Sequence, residues 1–227
     1  SFVSLIKDKF QAEILSDLEE TVREEVIHYL GYNFVANLLL KLDTDDAVHV
    51  IEDLEDDEKN IILQKVPINE REEIKSSLNY PDDSAGRLMN LDFVSLPPHW
   101  NVGQAIDFLR SNVELPNEFY EIYLVDPSNK PQGALLLSSL LRSDRDINLQ
   151  DIKSNHFVTI NSDLDKEIVA IEFERFDLVS APVVDENGRL IGVITADDIV
   201  DVIKDEAGED IKFLGGVGDE NITDSIL

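Results

Sequence analysis

The sequence predicts an α plus α/β protein in three parts. These are an N-terminal all-α superhelical repeat domain, a pseudo-symmetric pair of β-α-β-β-α units and a C-terminal acidic linker helix. Apolar residues keep helical spacing through residues 1–79, whereas short β-rich runs alternate with helical runs after Phe93. Each half also contains an internal repeat, and the pattern of apolar and polar residues changes at Tyr80-Pro81. We therefore expect a helical domain followed by two small sheet-containing units.

The N-terminal half repeats after 36 residues. ILSDLEETVREEVIHYL, which begins at Ile14, aligns without gaps with VIEDLEDDEKNIILQKV, which begins at Val50. A period of this size is typical of stacked helical hairpins, each of which buries its apolar face against a neighbour. We expect a short superhelix.

The C-terminal half repeats after 59 residues. IYLVDPSNKPQGALLLSSLL (122–141) aligns with APVVDENGRLIGVITADDIV (181–200), and each copy reads as strand, polar turn, strand after glycine, and helix. Upstream, FVSL (93–96) matches FVTI (157–160), and a helical run follows each. Neither half-sheet covers both of its faces, so the two copies should pack together.

The composition excludes several classes of function. With 19 Lys+Arg against 48 Asp+Glu, the net charge of −29 repels nucleic acid and concentrates cations. The absence of cysteine excludes disulfides, zinc–thiolate sites and cysteine nucleophiles. No nucleophile–base–orienter set and no phosphate-loop or zinc-protease motif is present, so we expect that the protein is not an enzyme.

The last predicted helix carries an acidic stripe. Asp198, Asp201, Asp205 and Glu209 fall on one face, opposite the apolar face of the same helix. Like charges at this spacing cost a few tenths of a kcal/mol each, and the C-terminal half of a helix is unfavourable for anions. A solvated surface is the simplest interpretation. A hydrated Mg²⁺ that neutralises the stripe is the alternative we favour.

Three stretches carry a resemblance to known families. The pattern from Pro182 to Asp198 resembles that of a tandem CBS domain, the adenosine-sensing Bateman module. YPDDSAGRLMN (80–90) and DDIVDVIKDEAGEDIKFLGG (197–216) resemble the signature and the linker helix of MgtE-type magnesium transporters. This resemblance implies a helical N domain over residues 1–79, CBS domain 1 over 80–149, CBS domain 2 over 150–204, and the start of the connecting (plug) helix or linker over 205–227.

The resemblance also implies a function. In that family the cytosolic region senses Mg²⁺ and forms a homodimer through its CBS domains. Mg²⁺ ions bind at acidic interfaces between domains, which makes the dimer more compact and closes the pore. This chain would then lie at the cytoplasmic face of the bacterial cell membrane, and the pore domain would follow it. The chain starts with Ser1 in a helical run and lacks an apolar run of 18 residues, so we expect a soluble piece of a longer protein.

Matching the family position by position implies several weak Mg²⁺ sites. Their expected ligands are Glu13, Asp45, Asp165, Glu167, Asp177, Asp198, Asp201, Glu206, Glu209 and Asp210. His49 occupies a position where the family has an aspartate, and we expect it not to bind Mg²⁺, which prefers oxygen. Asp205 lies in the acidic stripe but matches no family ligand.

The alternative function is an adenine-nucleotide-sensing CBS module. Thr195 and Asp198 match positions that hold ribose and phosphate in CBS domains, so ATP or AMP is a candidate ligand of the second copy. The same Thr-x-x-Asp pattern is equally a helix capping box. The first copy has Leu136 and Ser139 at these positions, so we expect at most one nucleotide site. A third interpretation is a scaffold that binds peptides along its helical repeats.

Overall fold

The computed structural model describes residues 8–116, 118–154 and 157–216. Within these ranges it describes the side chains except those of 8, 9, 205 and 209–216. The predicted class is confirmed: a helical N domain precedes two small sheets with their helices. The predictions for residues 1–7 and 217–227 lie outside the described residues.

Six short helices form the N domain. They are α1 (Asp8–Ser16), α2 (Glu20–Leu30), α3 (Tyr32–Leu39), α4 (Thr44–Ile51), α5 (Asp56–Leu63) and α6 (Ile68–Leu78). Their apolar faces enclose one core that includes Ile27, Val35, Ile51 and Ile62. Because the core is shared by both repeats, neither repeat forms a complete domain alone.

The 36-residue period is visible in the helix starts. Glu20 and Asp56 begin α2 and α5, and Tyr32 and Ile68 begin α3 and α6, 36 residues apart in both cases. Each repeat holds three helices instead of the expected two-helix hairpin. The extra break falls at Gly31, whose φ of 81° suits glycine, and at the equivalent Pro67, which precedes α6.

The first sheet-containing unit follows a short helix, α7 (Ala85–Leu88). It consists of β1 (Ser95–Leu96), α8 (Val102–Ser111), β2 (Glu121–Val125), β3 (Pro131–Leu136), α9 (Leu137–Arg142) and α10 (Leu149–Ile152). The second unit consists of β4 (Ile160–Asn161), α11 (Lys166–Phe176), β5 (Ser180–Val184), β6 (Leu190–Thr195) and α12 (Ala196–Gly216). The first strand of each unit is only two residues long, shorter than the expected FVSL and FVTI strands.

The two sheets have the same topology. In each, the short strand pairs in parallel with the middle strand, which pairs antiparallel with the third. The register also repeats, because Tyr123 lies opposite Ala134 and Pro182 lies opposite Val193. The hairpin turns match as well: Asn129 and Gly188 both have positive φ. The predicted pseudo-symmetry is therefore confirmed down to single residues.

The segment YPDDSAGRLMN joins the N domain to the second CBS copy. Ala85 and Gly86 donate their backbone N–H groups to Leu164 and Ser162, at 2.7 and 2.8 Å. Asn90 exchanges two backbone hydrogen bonds with Val193, at 2.8 and 2.9 Å. The side chains of Ala85 and Met89 lie in the core of this second copy. This segment is thereby held against β6 and the loop between β4 and α11.

Helix length and composition bear on membrane insertion. Among the described residues, no helix combines the length and the apolar content that crossing a bilayer requires.

Candidate metal and ligand site

A cavity of about 140 Å³ lies where the N domain meets the two CBS copies. Its walls come from the start of α4, the segment after α7, the residues before and within β2, and the junction of β6 with α12. Carboxylates dominate the lining: Asp43, Asp45, Asp46, Asp92, Glu118, Glu121, Asp197 and Asp198. Phe93, Phe119, Tyr120 and Tyr123 supply aromatic surface, and no lysine or arginine is among the described lining residues.

Asp45 and Asp198 are the most strongly perturbed pair in this cavity. Asp45 lies in the first turn of α4 and Asp198 in the first turn of α12. Burial raises the pKa of Asp45 well above its usual range, and the negative charge of Asp198 raises it further. Burial also raises the pKa of Asp198, to about 6. Asp45 Oδ1 is shielded from solvent and has no hydrogen-bond partner. Two facing buried carboxylates repel each other when both are ionised, so a bound proton or a bound cation stabilises the pair.

Asp46 and Asp201 extend the acidic contact. Burial raises the pKa of Asp46, although a hydrogen bond from Ser16 Oγ at 2.8 Å and the nearby His49 oppose the shift. The negative charge of Asp201 raises the pKa of Asp46. Asp201 accepts a hydrogen bond from Lys204 Nζ at 2.6 Å, so the ammonium group of Lys204 is already engaged on the helix surface.

Asp198 also caps α12. Its Oδ2 accepts hydrogen bonds from the backbone N of Thr195 at 2.7 Å and from Thr195 Oγ1 at 2.8 Å. This is the reciprocal half of a capping box, which the Thr-x-x-Asp pattern predicted. The cap fixes one carboxylate oxygen of Asp198 at the helix start, on the wall of the cavity. Structural and ligand-binding roles of this residue are thus compatible.

A hydrogen-bonded network joins the two CBS copies beside the cavity. Ser180 Oγ donates to Glu121 Oε2 at 2.6 Å and lies 2.7 Å from the buried Tyr123 hydroxyl. Glu121 and Ser180 are 59 residues apart, the repeat distance, so equivalent positions of the two copies meet. These residues lie near the pseudo-twofold axis. The network fixes the relative position of the two cavity walls.

The other expected ligands are not among the described lining residues of the cavity. Glu13 is exposed on α1. Asp165 and Glu167 are exposed at the start of α11, where Asp165 Oδ1 caps the helix by accepting from Glu167 N at 2.9 Å. Asp177 ends the same helix, about 18 Å further along at the usual rise per residue.

On α12, Glu206 lies two turns beyond Asp198 and is half-buried. The side chains of Glu209 and Asp210 lie outside the described residues, as does that of Asp205.

His49 pairs with a neighbour on its own helix. Its Nδ1 lies 2.9 Å from Glu52 Oε1, and Glu52 Oε2 in turn lies 3.4 Å from Arg87 Nη1. This geometry accounts for how the histidine is tolerated at a position where a carboxylate was expected. The N-domain side of the acidic contact then includes Asp43, Asp45 and Asp46.

Much of the cavity wall was not among the expected ligands. Asp43, Asp92, Asp197 and Glu121 come from four separate segments, and only folding brings them together. The sequence carried one usable signal for Glu121, its equivalence to Ser180 across the 59-residue repeat. Glu24, His28 and Glu58 also form a group of potential metal ligands that sequence spacing did not indicate.

Two family models match the chain. One describes the MgtE intracellular N domain and covers residues 1–83, and the other describes the CBS domain and covers residues 149–205. The magnesium transporter MgtE of Bacillus subtilis is 29 % identical over 206 residues, which are 91 % of this chain and 46 % of that protein. The chain thus spans about half the length of this relative.

Two solved structures are similar over most of the chain. The cytosolic domain of the Mg²⁺ channel MgtE in complex with ATP superposes with a TM-score of 0.81 at 29 % identity, covering 88 % of this chain and 82 % of the other. The soluble part of a magnesium transporter gives a TM-score of 0.79 at 31 % identity, covering 91 % and 81 %. With the helical N domain, the CBS pair and these matches, the chain belongs to the MgtE family of magnesium transporters.

Proposed function

We propose that this chain is the Mg²⁺-sensing cytosolic region of a magnesium transporter or channel, and that it acts as a regulator and not as an enzyme. The observation that carries the proposal is the buried Asp45–Asp198 pair, which joins the N domain to α12 without a balancing cation among the described lining residues. Carboxylate oxygens are the ligands that Mg²⁺ prefers. The unpartnered Asp45 Oδ1 supplies one such oxygen.

Mg²⁺ would be held between helices α4 and α12. Asp45 and Asp46 would bind it from the N domain, and Asp198 and Asp201 from the start of α12. The bound ion supplies positive charge that makes the facing carboxylates compatible. Without the ion, the repulsion between these carboxylates favours separation of the N domain from α12. Helix α12 leads toward the expected pore domain.

Several weak sites acting together would give a steep response. A site that exists only in the closed form contributes about 1.4 kcal/mol when the ion is at ten times its Kd. A change from 1:99 to 99:1 in a two-state equilibrium needs about 5.5 kcal/mol, the contribution of about four such sites. The expected ligands that are not among the described lining residues of the cavity, such as Asp165 and Asp177, would supply the further sites.

A homodimer through the CBS domains is part of the proposal. α11 and α12 pack side by side, and each exposes apolar side chains on its outer surface: Ile168, Ile171 and Phe176 on α11, and Val200 and Ile203 on α12. Exposed apolar side chains on two adjacent helices are typical of a protein interface. We propose that a second copy covers it, at the cytoplasmic face of the bacterial membrane.

Limited trypsin digestion tests the Mg²⁺ proposal. We expect MgCl₂ added to chelator-treated protein to slow cleavage at Arg87 and in α6 severalfold, with no effect of NaCl at the same ionic strength. Asp198→Asn should abolish the response, because the amide removes the charge but keeps the cap to Thr195. Asp146→Asn, at an exposed aspartate, should respond as the parent does. Equal protection by NaCl would indicate charge screening and contradict the proposal.

An adenine nucleotide is the second candidate ligand. The cavity has four aromatic residues, and the solved relative of 29 % identity holds ATP. The lining of the cavity in this chain nevertheless contains eight carboxylates and no described lysine or arginine, which disfavours binding of a free triphosphate. We therefore propose that any nucleotide binds here together with Mg²⁺, between the second CBS copy and the N domain.

A further inference from the structure

A second cluster of potential ligands lies on the N domain, away from α12. Glu24 and His28 stand one turn apart on α2, and Glu58 comes from α5 in the other repeat. One ligand atom from each of the three lies within 4.8 Å of the other two. Positions i and i+4 share a helix face, so Glu24 and His28 project on the same side.

The histidine and the α5 carboxylate are already oriented toward each other. His28 Nε2 lies 2.7 Å from Glu58 Oε1, and the Tyr32 hydroxyl donates to the same oxygen at 2.5 Å. The His28 and Tyr32 rings also meet edge to face, with centroids 6.5 Å apart. The hydrogen bond from Tyr32, and then that from His28, lowers the pKa of Glu58. Its carboxylate is thus held ionised and fixed in position.

The density of acidic residues does not by itself produce this arrangement. The chain has 48 Asp+Glu, yet in residues whose side chains the structure describes, this is the one trio whose ligand atoms approach so closely. It is also formed around an imidazole, a ligand that hard cations such as Mg²⁺ do not favour. The ligand set of one nitrogen and two carboxylates suits Zn²⁺ and its neighbours in the first transition row.

We propose that Glu24, His28 and Glu58 form a binding site for a divalent transition-metal ion, such as Zn²⁺. His28 Nε2 binds as the neutral imidazole, so the proton of the His28–Glu58 hydrogen bond moves to Nδ1 or to solvent. Tyr32 continues to hold the Glu58 carboxylate, and water completes the coordination. The ion links α2 to α5, equivalent helices of the two repeats. This site is independent of the Mg²⁺ contact at Asp198.

The test is Zn²⁺ binding by the full chain, measured calorimetrically in excess Mg²⁺ so that the acidic interfaces are occupied. We expect one site whose affinity falls at least tenfold in His28→Gln and in Glu24→Gln. His99→Gln and Glu25→Gln change an exposed histidine and an exposed glutamate that do not belong to the trio, and they should leave the affinity unchanged.

Nitrogen NMR of the histidine rings provides a second measurement. Zn²⁺ should shift the Nε2 resonance of His28 and leave that of His99 in place. Equal Zn²⁺ affinity in His28→Gln and the parent, or an unmoved His28 resonance, would overturn the proposal. Either result would show that His28 and Glu58 form only a hydrogen-bonded pair on the surface. The Asp198→Asn variant should retain this site, so failure here is distinguishable from failure of the Mg²⁺ proposal.

Discussion

Asp198 combines a cap, a buried charge and a place on the cavity wall. Its pKa of about 6 in the folded protein exceeds the ordinary value of 3.8, so the folded state binds more protons than the unfolded state between these values. In chelator, the contribution of Asp198 to the free energy of unfolding should therefore fall as pH rises from about 4 to about 6, and then level off. The fully charged pair is the least stable form.

Asp198→Asn should flatten this pH dependence and raise the metal-free melting temperature near neutral pH. The reason is that the substitution removes one of the two facing charges while keeping an acceptor for Thr195. Thermal unfolding in chelator over this pH range measures the effect. Asp146→Asn should leave the slope unchanged, and an equally steep slope in Asp198→Asn would place its cause elsewhere.

Arg87 is the residue that ties the N domain to the linker. Its guanidinium donates to the backbone oxygens of Leu78 and Tyr80, at 3.1 and 2.8 Å, and to Asp82 at 2.6 Å. Arg87→Met keeps the apolar stem but leaves the two backbone oxygens without this donor. We expect the free energy of unfolding to fall by about 1–3 kcal/mol in urea titrations. Arg110→Met, on an exposed position of α8, should change it by less than about 0.5 kcal/mol.

At the scale of elements, two glycines should respond in opposite directions to alanine. A Cβ at Gly192 in β6 would lie 2.7 Å from Met89 Sδ and 2.9 Å from the backbone oxygen of Asn90. Gly192→Ala should therefore destabilise the protein by about 1–3 kcal/mol through overpacking of the linker against β6. Gly208 lies within α12, and a Cβ there would meet nothing within 4 Å.

Gly208→Ala is the matched control for this prediction. It should stabilise α12 by about 0.5–1 kcal/mol, because alanine has the higher helix propensity. Thermal unfolding of both variants gives the comparison. Equal effects of the two substitutions would mean that Met89 and Asn90 adjust without cost and that the linker is not tightly seated on β6.

Local elements could be predicted from the sequence because their signals are local. The strands β2, β3, β5 and β6 followed from apolar runs around polar turns, and the 59-residue alignment predicted their common register. The third helix of each N-domain repeat was missed, since the break at Gly31 and Pro67 has no common residue type. The cavity could not be predicted as a whole, because its walls come from segments that only tertiary packing unites.

For the whole molecule, the charge of the cavity predicts that any nucleotide binding depends on Mg²⁺. Eight carboxylates line it, and no described lysine or arginine offsets them. We expect ATP to bind in MgCl₂ and its affinity to fall at least tenfold in chelator. Adenosine, which lacks phosphates, should depend far less on the metal. Equilibrium dialysis with each ligand measures this, and ATP binding that is indifferent to chelator would show that phosphates are held outside the acidic cavity.

The outer surface of α11 and α12 permits a test of assembly. Ile171 is 59 % exposed on α11, whereas Val113 is 95 % exposed in the loop after α8. In a dimer, Ile171→Glu would bury a charge between two copies without a partner, which costs several kcal/mol. Light scattering should therefore give twice the 25.6 kDa chain mass for the parent and for Val113→Glu, and the single-chain mass for Ile171→Glu. Because Ile171 does not belong to the buried core, its substitution should leave the folded monomer intact. A parent chain that is monomeric with and without Mg²⁺ would exclude this surface as the dimer contact.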